Sequence, residues 1–221
     1  GAMFDAVAEE LLAAAENDAV KVLIITGEGR AFSAGMDLAD SPSKQAAPVH
    51  GFEGMLEAFI ELPKPILLAI NGVGVGFGCT ITGLVDLVFM AESAKLRCPF
   101  TALGLTAEAA STVTFPALMG PQMANWVLLS SEWLDAQTCK TYGLAFEVVA
   151  DVELLARTME QAQVLAAKPL ASLITTKEML MAPRRGALRE ASEIETAALG
   201  SLMGGPANQE AIAAFKERRE P

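Results

Sequence analysis

The chain has 221 residues, 52% of them hydrophobic, with a net charge of −11 at neutral pH, a size that suits one large or two small domains with a sizeable core. No apolar run reaches the roughly 18 to 20 residues of a membrane span, and so acidic a chain lacks the basic face that nucleic-acid phosphates demand. Three cysteines, Cys79, Cys98 and Cys139, without a CxxC pair, and one histidine, His50, point to free thiols in a reducing cytoplasm and away from a disulfide scaffold, a metal site or a Ser-His or Cys-His nucleophile.

Apolar residues at helical spacing, Phe4, Val7, Ala8, Leu11, Leu12 and Ala15, predict a helix over 4–16 that Asn17-Asp18 breaks. The β-branched run 20–26 reads as a buried strand and 27–29 as a turn. Residues 40–50 are polar and rich in Pro and Ser, a loop. A helix over 51–61 ends at Pro63 and Pro65, and strands follow over 65–70, 84–90 and 95–98. Beyond residue 110 the pattern turns helical, over 121–129 with Pro121 at its start, then 152–167, 170–181, 188–199 and 209–218. Together these predict an α/β core over 1–145 with a helical C-terminal region over 146–221.

Two small-residue segments each follow a strand. Residues 71–78 read Asn-Gly-Val-Gly-Val-Gly-Phe-Gly, where alternating glycines let a ligand approach the backbone or leave N–H groups aimed one way at a helix start. The dinucleotide pattern GxGxxG fails at Phe77 and Cys79, and a P-loop Gly-Lys-Ser/Thr is absent from the sequence. Residues 31–38 read Ala-Phe-Ser-Ala-Gly-Met-Asp-Leu. Two such segments suggest a pair of backbone N–H donors able to hold a developing oxyanion. Asp37, Asp86 and Glu108 are the carboxylates nearest to them, and so the candidates for a base. Glu108 could equally open a helix, where the macrodipole favours an acid.

Residues 26–38, Thr-Gly-Glu-Gly-Arg-Ala-Phe-Ser-Ala-Gly-Met-Asp-Leu, resemble the first signature of the crotonase (enoyl-CoA hydratase/isomerase) superfamily, and 63–79 resemble the second. The resemblance covers most of the chain. It implies a crotonase-like spiral of ββα units, related to the ClpP fold, with a C-terminal helical region that assembles trimers, often paired into hexamers. By motif position the two N–H donors to a thioester oxygen fall on Met36 and Phe77. The two glutamates with which the family's hydratases activate water would fall on Thr80 and Phe100, so both are missing. The stretch 99–120 resembles the Δ3,Δ2-enoyl-CoA isomerases of peroxisomal type, which places the catalytic base on Glu108. It also resembles the crotonase-like domain of chromodomain Y-like proteins, which leaves a non-catalytic acyl-CoA-binding module, or another crotonase reaction on acyl-CoA, as alternatives.

The resemblance further implies that Ser33, Ala34, Gly35, Asp37, Leu38, Gly76, Phe100 and Leu103 line the acyl-CoA site, with Phe215 near adenine and Lys216 near phosphate. Phe77, Phe100, Leu103 and Leu105 could supply apolar walls around Glu108. Coenzyme A is part of the substrate, and no metal or redox cofactor is implied. Family members usually carry further residues ahead of Phe4 that form an opening β-hairpin.

Overall fold

In the computed structural model, which describes residues 2–35, 47–217 and 219, the first six strands enter alternate sheets. Strand β1 (Leu23–Thr26) belongs to one sheet and β2 (Ala31–Ser33) to the other; helix α2 (Gly51–Glu61) then returns the chain to the first. The cycle repeats with β3 (Ile66–Ile70), β4 (Val73–Val75) and the short helix α3 (Phe77–Thr80), and again with β5 (Leu87–Ala91) and β6 (Lys95–Arg97). Strands β7 (Trp133–Asp135) and β8 (Glu147–Val149) complete two four-stranded sheets, ordered β1-β3-β5-β8 and β2-β4-β6-β7. All pairings are parallel except β6 with β7. This is the expected crotonase-like spiral of ββα turns. The first sheet runs on through β8, past residue 145 where the core was expected to end.

The sharp corner between consecutive strands of different sheets depends on missing side chains. A Cβ on Gly27 would stand 2.3 Å from the Ala31 carbonyl oxygen, and one on Gly72 would stand 2.1 Å from that of Arg30. Asn71 ties the two corners together: its Oδ1 accepts from the Gly27 N–H at 3.1 Å and its Nδ2 donates to the Gly29 carbonyl at 3.0 Å. Strand β3 is buried at all five positions, as a central parallel strand covered on both faces should be.

Helix α1 (Ala2–Glu16) packs on α2. The fully buried Lys64 donates to the carbonyls of Ala14 and Asn17 at 2.7 and 2.9 Å, which satisfies groups that the end of a helix leaves open. Beyond β6 the helices are α4 (Ser111–Met119) and α5 (Pro121–Ser130) ahead of β7, α6 (Ala136–Thr141) between β7 and β8, and then α7 (Leu154–Ala166), α8 (Leu170–Leu202) and α9 (Pro206–Glu217).

Several expectations shift. The helices expected over 170–181 and 188–199 form the single helix α8, with Pro183 inside it. Proline removes one intrahelical bond at a cost of about 3 kcal/mol, but Met181 and Leu188 on either side stay buried and hold the helix through. Strands β2, β4, β7 and β8 and helix α6 were not anticipated, and α4 only as the helix that Glu108 could open; the strands span three residues each, too few to show alternation. Most of the loop expected over 40–50 lies outside the described residues. Cys79, Cys98 and Cys139 are free and buried, and burial pushes the Cys139 thiol up to about 12. Among the described residues no helix is long and apolar enough to cross a membrane.

Candidate active site

Strands β2 and β4 pair in parallel, Ala31 opposite Val73 and Ser33 opposite Gly74, so the two small-residue segments leave the second sheet side by side at the same end. A Cβ on Gly35 would lie 3.3 Å from the Val75 carbonyl oxygen, and one on Gly78 would lie 2.8 Å from Ser33 Cβ. Only glycine allows α3 to start this close to the end of β2. Gly76 turns the chain into α3 with φ 59° and ψ −121°, a conformation that a side chain resists. Its carbonyl accepts the N–H groups of Cys79 and Thr80 at 2.8 and 3.0 Å. Phe77 and Gly78 are the first two residues of α3, where the backbone N–H has no acceptor within the helix. The Phe77 ring packs against Phe4, Phe52 and Phe59, with centroids 6.3, 5.5 and 6.2 Å away, and so anchors the turn that carries its N–H.

Glu108 reaches this turn from another part of the chain. A single 3-10 turn (Thr101–Leu103) is closed by Gly104 at φ 64°. The Leu103 carbonyl accepts from Asn208 Nδ2 on α9 at 2.8 Å, and Thr101 Oγ1 donates to the Leu129 carbonyl at 2.8 Å. The chain then runs without regular secondary structure to Glu108, whose Oε1 lies 3.8 Å from where a Cβ on Gly76 would stand. Glu108 precedes α4 and does not open it, which corrects the helix-start alternative. The turn into α4 runs through Ala109 and Ala110, with φ 59° and 55°. Burial, with the negative charge of Glu195 adding to it, pushes the Glu108 carboxyl up to about 7. That is the range in which a carboxylate works as a base near neutral pH.

The other candidates fall elsewhere. Asp86 accepts the Ile66 N–H at 2.7 Å and pairs with the buried Lys177 at 2.8 Å, so its carboxylate is engaged in structure and it is not a base. Burial lowers the Lys177 ammonium, against the pull of Asp86. Met36, Asp37 and Leu38 lie outside the described residues. Ser33, Ala34, Gly35 and Gly76 sit at the shared strand end. Thr80 is fully buried and its hydroxyl donates to the Gly76 carbonyl at 3.4 Å, while Phe100 belongs to the core. Leu103 and Leu105 are half-buried. Helix α9 buries Asn208, Ala211 and Ala214, and both Phe215 and Lys216 stand exposed. A groove of about 570 Å³ between α2 and α8, lined by Leu56, Glu57 and Arg189 among others, does not include Glu108. Sequence reasoning missed Glu195, which is buried on α8 and bonded to the loop after Glu108. A charged residue in the buried stripe Leu188, Ala191, Glu195 was the available signal.

Comparison with known proteins gives a consistent picture. Residues 2–221 match the family model for enoyl-CoA hydratase/isomerase. The 2,3-dehydroadipyl-CoA hydratase of Escherichia coli is 33% identical over 96% of this chain and 84% of its own. Human enoyl-CoA delta isomerase 2 is 29% identical over 80% of this chain, which corresponds to 47% of that protein. A crystal structure of an enoyl-CoA hydratase/isomerase from Pseudoalteromonas atlantica superposes with a TM-score of 0.93 at 30% identity, covering 99% of this chain and 87% of that one.

Proposed function

The chain belongs to the enoyl-CoA hydratase/isomerase family, and within it we propose that this protein shifts the double bond of a 3-enoyl-CoA to give a trans-2-enoyl-CoA. The observation that carries the proposal is the placement of Glu108. Its carboxyl is held over the Gly76–Phe77 turn with its ionisation pushed up to about 7, while the two places where the family's hydratases hold water-activating glutamates carry Thr80 and Phe100. A hydratase needs to position and deprotonate water. An allylic isomerase needs only one carboxylate that takes a proton and gives it back.

In this reading the thioester oxygen lies between the N–H groups of Met36 and Phe77. Glu108 removes a proton from C2, and the electron pair moves into a dienolate whose negative oxygen the two donors stabilise. The protonated Glu108 then delivers the proton to C4, the double bond settles between C2 and C3, and the carboxylate is restored. No metal or redox group enters the step. Ser33, Ala34, Gly35, Asp37, Leu38 and Gly76, with Phe100 and Leu103, form the acyl-CoA site; Phe215 and Lys216 take the nucleotide end. Assembly into a trimer, or a pair of trimers, through the C-terminal helices belongs to the same reading.

The test is direct. The protein is incubated with a 3-enoyl-CoA and the absorbance of the conjugated thioester is followed; in parallel it is given a 2-enoyl-CoA and loss of the same absorbance reports hydration. Conjugation without hydration is expected. Hydration as fast as isomerisation would mean that water is activated by a residue other than those at positions 80 and 100, and binding without either reaction would return the chain to a non-catalytic role.

A further inference from the structure

Resting on the reading of Glu108 as the base, we infer that Glu195 is a positioning residue for it: from α8 its carboxylate clamps the loop that presents Glu108 and places a fixed negative charge near it. Glu195 is 4% exposed. Its Oε2 accepts the Ala110 N–H at 2.7 Å, and its Oε1 accepts the Thr112 N–H at 2.9 Å and the Thr112 hydroxyl at 2.6 Å. A buried carboxylate is strongly unfavourable without compensation, and among the described residues no ion pair includes Glu195. Its compensation is the N-terminus of α4, whose open N–H groups and dipole favour a negative charge.

That helix start is unusual on its own terms. Its N-cap residue is Ala110, left-handed and without any side-chain cap of its own, and Ala109 before it is left-handed too. Left-handed backbone is strained for a residue with a Cβ and persists where the surroundings hold it. The bonds from Glu195 to Ala110 and Thr112 fall on this turn. They keep residues 109 and 110 from joining a longer α4, which would carry Glu108 round into the helix and away from Gly76. The same carboxylate opposes ionisation of Glu108, so the ionised base binds a proton more tightly. Gly76 faces Glu108 from the β4–α3 turn and brings no charge; of the described charged groups, Glu195 is the one that acts on it.

Charge and reach can be separated by two substitutions. Glu195→Gln keeps the size and removes the charge; Glu195→Asp keeps the charge and shortens the reach. Turnover of a 3-enoyl-CoA is measured against pH for each, with thermal stability alongside. Glu195→Gln is expected to move the acidic limb of kcat to lower pH by about half a unit or more and to lower kcat about tenfold. Glu195→Asp is expected to lose about as much kcat with the limb left in place. A role in stability alone would lower the melting temperature of both without changing kcat or the limb, and that result overturns the inference. Should neither variant fold, Thr112→Val, at an exposed residue, removes one of the three bonds; kcat at least about threefold lower at constant KM supports the inference, and an unchanged kcat overturns it. Glu108→Gln, run in parallel, reports on the base itself. An active Glu108→Gln sinks the base assignment, whereas an inactive one beside wild-type Glu195 variants sinks this inference alone.

Discussion

The Glu108 carboxylate lies over Gly76, with Oε1 3.8 Å from the point a Cβ on that glycine would occupy. Glu108 and the turn that opens α3 are therefore adjacent in space though 32 residues apart in sequence, and the missing side chain leaves room at the backbone N–H groups that follow. Gly76→Ala should do two kinds of damage. The residue sits at φ 59° and ψ −121°, which an alanine tolerates at a cost of about 1–3 kcal/mol, and the new methyl group would project toward the carboxylate. A lower melting temperature together with a fall in kcat is expected; a variant of unchanged stability and rate would show that the turn does not need glycine.

The pH dependence follows from the same carboxyl. A base must be unprotonated to accept the C2 proton, and Glu108 is pushed up to about 7. On a logarithmic plot kcat/KM should rise with unit slope below about pH 7 and level off above it. A plateau that extends down to pH 5 would place the base in an ordinary, solvated environment.

Raising the Glu108 carboxyl also has a cost in stability. Between 4.5, its ordinary value, and about 7 the folded protein binds more protons at this group than the unfolded chain, so stability contributed by the group is complete below 4.5 and declines as pH rises to 7. Glu108→Gln carries no such dependence. It should be more stable than wild type above pH 7, by at most about 3 kcal/mol, and this advantage should shrink toward pH 5. Urea unfolding at pH 5 and pH 8 measures it. An advantage that is the same at both values would separate it from ionisation.

Lys216 is exposed and, in the proposed reading, stands against a phosphate at the nucleotide end of the substrate. Lys216→Ala should weaken coenzyme A binding by about 1 kcal/mol at low salt, with the difference shrinking as salt is added and kcat at saturating substrate unchanged. Calorimetric titration at two salt concentrations decides it, and equal affinities at low salt would leave Lys216 as a helix-terminal cation.

The parts of this molecule that were legible in its sequence are those with strong local signals. The buried run in β3, the glycines of 71–78 and the amphipathic helices 51–61 and 121–129 all fold close to where they were expected. Glycine at 72, 74, 76 and 78 marked close backbone approach, and the structure supplies the neighbours: Arg30, Leu96, Glu108 and Ser33. What stayed hidden is non-local. Strands of three residues such as β2 and β4 are defined by their partners and not by their own pattern. In the sequence Asp86 and Glu108 are alike as carboxylates near the small-residue segments, and the bonds of Asp86 to Ile66 and to Lys177, 91 residues away, separate them. Glu195 and Lys177 occupy the buried stripe of α8, where a charge signals a partner elsewhere in the fold without naming it. Pro183 suggested a break that long-range packing overrides.

The central claim is that one carboxylate, Glu108, carries the proton from C2 to C4. It is tested most directly by the rate at which Glu108→Gln converts a 3-enoyl-CoA to the conjugated thioester, measured at saturating substrate with coenzyme A affinity determined on the same preparation. The account predicts a loss of about 10²- to 10⁴-fold in kcat with coenzyme A affinity retained. A variant within about threefold of wild type would contradict it, because a missing general base cannot be so nearly silent.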